Sequence, residues 1–149
     1  PVRSSSVRSS LLSGDIELAN SILGRKFSLS GEVIKGFQRG KDLGFPTANL
    51  SFDGNQIIPK NGIYATQVKL NNYLFHGATS IGTNPTFNNE KKSIETFILD
   101  FNRNIYGENI TVEFISKIRD EETFNSTEDL IIQMENDVKK IQQILKINN

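Results

Sequence analysis

Glu95, Thr47 and Asn49 are the side chains whose types best suit the handling of a phosphate. Glu95 lies in "SIETFILDF", a run whose period of two predicts a strand over 93–101. Alternation sets Glu95, Phe97, Leu99 and Phe101 on one face, with Ile94, Thr96, Ile98 and Asp100 on the other. A carboxylate among three large apolar side chains loses hydration, which raises its pKa unless donors or a cation compensate. A raised carboxylate is what a general base needs. The same pattern also fits a strand end in water, with Glu95 simply solvated.

The second chemical stretch is "GEVIKGFQRGKDLGFPTANLSF". Gly36, Gly40 and Gly44 let backbone approach a ligand, and Lys35, Arg39 and Lys41 supply positive charge, a combination that suits phosphates. The spacing is not that of a P-loop, because Asp42 stands where Ser or Thr would meet magnesium. A plain hairpin turn is the alternative. Pro46 fixes the backbone ahead of Thr47, and Thr47 and Asn49 offer neutral oxygens. Magnesium accepts such ligands when substrate phosphates supply the charge. Without a metal, "PTAN" reads as a turn leading into a strand.

Three further positions carry weaker signals. "IGTNPTFNN" reads as a polar loop in which Asn84 could orient a ligand or simply form a turn with Pro85. Arg119, closing the last strand pattern, could meet a phosphate, a helix carboxylate or a surface acid. His76 is the only histidine, which excludes a His-rich zinc site and any chemistry needing two histidines.

The elements that must position these residues change along the chain. "SVRSSLLSG" places Val7, Leu11 and Leu12 on one side of a helix ending at Gly14. Asp15 caps a second helix carrying Ile16, Ala19, Ile22 and Leu23, closed by Gly24. Two such helices cannot build a core alone and read as an appendage. From Phe27 to Arg119 the pattern is strand-like, including Tyr64, Thr66, Val68 and Leu70 on one face and Tyr73, Phe75 and Ile81 on another. Five or six short strands without intervening helices predict an antiparallel sheet, most economically a closed barrel. Ser126 caps a final amphipathic helix with Leu130, Met134, Val138, Ile141 and Leu145 as its stripe.

Composition narrows the function classes. A chain of 149 residues is long enough to bury one core without disulfide staples. It has no cysteine, which excludes thiolate chemistry and fits a reducing, cytoplasmic setting. Lys plus Arg equals Asp plus Glu at 17 each, so no net field draws it to nucleic acid. No apolar run is long enough to span a bilayer, and no membrane partner is expected.

In this order the motifs resemble the riboflavin kinase family. "GEVIKGFQRGKDLGFPTANL" is similar to that family's signature, and "NGIYAT", "SIGTNPTF", "IETFILDF" and "IYGENITVEFISKIRDEETF" follow in sequence. The resemblance implies a mainly β fold: a six-stranded antiparallel Greek-key barrel with a long C-terminal helix and short N-terminal helices. It implies transfer of the γ-phosphate of Mg-ATP to the 5′-hydroxyl of riboflavin, giving FMN and ADP. Thr47 and Asn49 would hold Mg2+, and Glu95 would be the catalytic base. Gly31, Gly36, Arg39 and Lys41 would lie near the nucleotide phosphates, with Arg119 toward the flavin. Phe97 stands where many members have His. Residues 1–24 resemble the end of an FMN adenylyltransferase module, as in bifunctional FAD synthetases, with Ser4, Ser5, Val7 and Arg8 on its Ser-Ser-Thr-x-Ile-Arg motif. Residues 25–149 would then be the kinase domain. A non-catalytic flavin-binding barrel and an oligonucleotide-binding barrel are the rival expectations.

Overall fold

The computed structural model describes residues 2–35, 47–85 and 90–146. Three helices, α1 (Val2–Ser13), α2 (Ile16–Leu23) and α3 (Thr127–Lys146), accompany six strands: β1 (Ser28–Ile34), β2 (Ala48–Leu50), β3 (Gly62–Leu70), β4 (Tyr73–Pro85), β5 (Glu90–Ile98) and β6 (Asn109–Arg119). The strands close into a barrel in the order β1-β2-β5-β4-β3-β6, every pairing antiparallel. β3, β4 and β5 form a meander, while the chain crosses over between β2 and β3 and again between β5 and β6. This is the Greek-key barrel that the sequence led us to expect.

The period of two decides which side chains fill the barrel. Tyr64, Val68 and Leu70 of β3, Ile81 of β4, Ile94 and Ile98 of β5, and Val112 and Phe114 of β6 are buried in one cluster. Three threonines share this interior. Thr66 and Thr79 are joined through their hydroxyls at 2.8 Å, and Thr79 and Thr96 at 2.9 Å. Neighbouring Gly77 is obligatory there, because an added Cβ would sit 2.8 Å from Thr66 Oγ1 and 3.0 Å from Thr96 Cγ2.

The N-terminal helices are more than an appendage. Asp15 caps α2 by accepting from Leu18 N at 3.2 Å, and Gly14 and Gly24 take left-handed φ values of 83° and 73°. Leu11, Ile16 and Ala19 belong to the barrel's own buried cluster. The Asn20 amide donates to Phe114 O at 2.9 Å and accepts from Phe27 N at 2.7 Å, tying α2 to the barrel just ahead of β1. Leu12 does not share the buried side: it is 52% exposed.

Three other expectations change. Residues 83–85 are not loop but the end of β4, because their backbone stays paired with Glu90–Lys92 of β5. Tyr73 keeps the parity of the buried face yet is 67% exposed, since it sits where the hairpin overhangs the barrel. Phe101 leaves the face of Glu95. β5 ends at Ile98, Asp100 turns the chain with φ 55°, and Phe101 packs edge-on against Phe75 at 4.9 Å.

Helix α3 starts where Ser126 Oγ accepts from Asp129 N at 3.1 Å. Its stripe divides in two. Ile141 and Leu145 bury against Ala65, Leu99 and Ile118 on the outer wall of the barrel, whereas Leu130 and Met134 stand off from it and line a cavity.

Candidate active site

One row of directly paired residues runs around the outside of the barrel. Asn49 of β2 faces Glu95 of β5, Glu95 faces Ser80 of β4, Ser80 faces Ile63 of β3, and Ile63 faces Arg119 of β6. Directly opposed residues point to the same side, with Cβ atoms roughly 4.5–5.5 Å apart. The inward partners confirm the side: Leu50, Ile94, Thr96, Thr79 and Ile81 are buried in the barrel, so their sequence neighbours Asn49, Glu95 and Ser80 face out. Glu95 is thus a mid-strand, partly buried residue rather than a frayed end.

Above this row lies a cavity of about 730 Å3 between the barrel wall and α3. Thr47, Glu95 and Ser80 mark one part of its lining. Apolar walls come from Ile63, Ala78, Phe97, Leu130, Met134 and Val138, and Arg119, Asp137 and residues 121–127 edge the remainder. A second cavity, of about 330 Å3, is walled by Val33, Ile98, Phe101 and Ile105 and edged by Asn102, Asn104 and Tyr106. Thr47 lines both. Lys35 approaches the Tyr106 ring at 5.8 Å, close to the second opening.

Two polar atoms, one at this junction and one on Asn49, which lines neither cavity, have no hydrogen-bond partner among the described residues. Thr47 Oγ1 and Asn49 Nδ2 are buried with no hydrogen bond, although a buried polar atom ordinarily finds one. Asn49 is only 5% exposed. Such orphaned atoms beside a carboxylate are what a ligand would satisfy. Among the described residues no group of three His, Cys, Asp or Glu side chains could hold a metal.

Arg119 takes the helix-carboxylate option. Its Nε donates to Asp137 Oδ1 and its Nη2 to Asp137 Oδ2, both at 2.8 Å, in a bidentate fork. Nη1 donates to Asp120 O at 3.0 Å, and the guanidinium lies 5.9 Å from the Phe124 ring.

Gly31 lines neither cavity. A Cβ there would fall 1.7 Å from Ser51 O, so its visible task is to let the β2 exit cross β1 closely. Gly36, Gly40, Gly44, Arg39 and Lys41, together with Pro46, lie outside the described residues. Asn84 lies in β4, its side chain likewise outside the description.

Sequence reasoning missed Ser80, Gln133 and Asp137. Ser80 carries no signal without the register. Asp137 did carry one: it is a carboxylate within the apolar stripe of α3, flanked by Met134, Val138 and Ile141.

A family model described as Flavokinase: Riboflavin kinase matches residues 23–145. The bifunctional riboflavin kinase/FMN adenylyltransferase of Bacillus subtilis (strain 168) is 40% identical over 139 residues, 91% of this chain and 44% of the relative. The chain therefore spans less than half the length of that relative. A crystal structure of a riboflavin kinase from Trypanosoma brucei superposes with a TM-score of 0.60 at 25% identity, covering 80% of this chain and 79% of the other. A macrolide-efflux protein from Streptococcus pneumoniae superposes with a TM-score of 0.89 at 33% identity, covering 93% of this chain and 46% of the other.

Proposed function

The chain belongs to the riboflavin kinase family, and from that premise we propose that it transfers the γ-phosphate of ATP to the 5′-hydroxyl of riboflavin. The observation that carries this reading is the junction itself: Thr47 lines both cavities, and the carboxylate of Glu95 stands in register with Asn49 beside it. A large, mostly apolar cavity suits the flavin ring, since small-molecule sites commonly occupy about 300–1,000 Å3. The smaller cavity suits the nucleoside. Their shared opening is where an alcohol and a phosphate would meet.

Glu95 accepts the proton of the 5′-hydroxyl as its oxygen bonds to the γ-phosphorus and the bond from phosphorus to the bridging oxygen of ADP breaks. General-base help of this kind contributes about 10²–10⁴-fold, and the rest of the task is positioning and charge. Phe97 and the apolar face of α3 keep water from the hydroxyl's place. Arg39 and Lys41, with Gly36 allowing close approach, are suited to the nucleotide phosphates. Mg2+, when bound, would neutralise those phosphates. Thr47 Oγ1 fits it as a neutral oxygen with no partner among the described residues, and Asn49 fits it with its amide turned so that Oδ1 leads.

Residues 1–24 are read as the end of an FMN adenylyltransferase module, because Ser4, Ser5, Val7 and Arg8 resemble its motif and the Bacillus relative carries both names. A cytoplasmic setting, where ATP is regenerated, goes with this reading; among the described residues no helix is long and apolar enough to cross a membrane.

Incubation with riboflavin, ATP and magnesium, followed by chromatography, tests the reading. FMN and ADP should form in equal amounts. Flavin binding without phosphate transfer would instead favour the non-catalytic flavin barrel, and the absence of both would overturn the site.

A further inference from the structure

The ion pair between Arg119 and Asp137 sits where α3 changes from packed to overhanging. On the C-terminal side of Asp137, Ile141 and Leu145 are buried on the barrel wall, and Lys140 Nζ donates to Ile118 O at 3.2 Å. On the N-terminal side, Leu130 and Met134 face the large cavity. Asp137 Oδ1 accepts from Arg119 Nε and also from Gln133 Nε2, at 2.8 and 2.9 Å, and Oδ2 accepts from Arg119 Nη2. Arg119 in turn holds Asp120 O and lies against Phe124, both in the segment leading into α3. One guanidinium therefore stitches the end of β6, the segment after it and the middle of α3. The side chains of the pair are only 16% and 8% exposed, so the carboxylate has little solvent to replace its partner.

We infer that Asp137, supported by Gln133, is a positioning residue: it holds Arg119 so that the free half of α3 stays at the separation that admits the flavin ring. This rests on the kinase reading and adds to it a device specific to the large cavity. Arg119 and Asp137 both line the large cavity, on the side that the resemblance gives to the flavin. A guanidinium whose charge is met by a bidentate carboxylate is poorly placed to serve as a phosphate ligand, and it frames the site instead. The second cavity shares no lining with α3, so the effect of loosening the pair should stop at the flavin.

Steady-state kinetics on Asp137→Asn, Gln133→Ala and Arg119→Lys test this. For Asp137→Asn, KM for riboflavin should rise about tenfold or more, with KM for ATP and kcat within about threefold of wild type. Gln133→Ala should move the same constant by a smaller factor. Arg119→Lys, which keeps the charge but loses the fork, should resemble Asp137→Asn. Thermal melts report the folded fraction, and if Asp137→Asn does not fold, the Gln133→Ala constants decide. Unchanged riboflavin KM in a folded variant, or equal rises for riboflavin and ATP, would overturn the inference while leaving the kinase reading intact. A loss confined to Arg119→Lys would assign a direct contact to the guanidinium and overturn it as well. A wild-type chain that makes no FMN would overturn both.

Discussion

Asn49 and Glu95 are opposed residues on β2 and β5, and this pairing rests on a strand only three residues long. A slip of β5 by one position would turn Glu95 into the barrel, because strand side chains alternate faces. What resists the slip lies on the other side of the wall. Ala48 opposes Thr96, and the Thr96 hydroxyl is tied through Thr79 to Thr66 across three strands. The buried hydroxyls thus fix the outward register of the carboxylate.

Replacing Glu95 with Gln keeps the shape and removes the proton acceptor. kcat for FMN formation should fall by about 10²–10⁴-fold, with riboflavin affinity by fluorescence quenching little changed. Activity near that of wild type would remove Glu95 from its proposed role.

Thr47→Ala and Asn49→Ala each delete a buried polar atom that has no partner among the described residues. The magnesium concentration giving half-maximal FMN formation should rise several-fold in either variant, an effect of about 1 kcal/mol per ligand on the scale of a single polar contact. A magnesium titration that superposes on wild type for both variants would dismiss them as metal ligands.

Thr79→Val removes the middle hydroxyl of the buried chain while preserving branching. Each neighbouring hydroxyl then loses a partner inside the barrel, at a cost of about 1–3 kcal/mol. For a domain of this size that is a fall of several degrees in Tm. The fall should come with lower kcat, because the register under Glu95 loosens. A lower Tm with unaltered kcat would show that the interior chain serves stability alone.

Much of this was legible from residue order, and the reasons for what was not are specific. Alternation alone marked Tyr64, Thr66, Val68 and Leu70 as one face, and all four are buried. Glu95, Thr47 and Asn49 stood out by type, but periodicity could not say that β2 pairs with β5, a contact across 46 positions of sequence. The Phe101 expectation failed because alternation does not announce where a strand stops, and a left-handed Asp100 ends it. Arg119 offered three partners that sequence could not rank. Choosing Asp137 required the packing of α3, a tertiary fact, even though a carboxylate in an apolar stripe had hinted at it.

Tyr64 gives the fold an alkaline limit. Its ring is fully buried, its hydroxyl donates to Lys60 O, and burial, reinforced by the nearby charge of Asp120, pushes its pKa from 10.0 up to about 12. In the unfolded chain the phenol ionises near pH 10, whereas the folded chain keeps its proton for about two further pH units. The folded state therefore binds more protons than the unfolded one across that window, so stability falls as pH rises. The contribution is complete below pH 10 and is lost progressively up to about pH 12, a change of about 2–3 kcal/mol. Tyr64→Phe has no such proton and loses the hydrogen bond to Lys60. It should be the less stable protein at pH 8, yet the gap between the two in urea unfolding should narrow by about 2 kcal/mol by pH 12. Every other ionisable group is common to both proteins and cancels in the difference. A gap that stays constant from pH 8 to pH 12 would show that the Tyr64 hydroxyl ionises as freely in the barrel as in water.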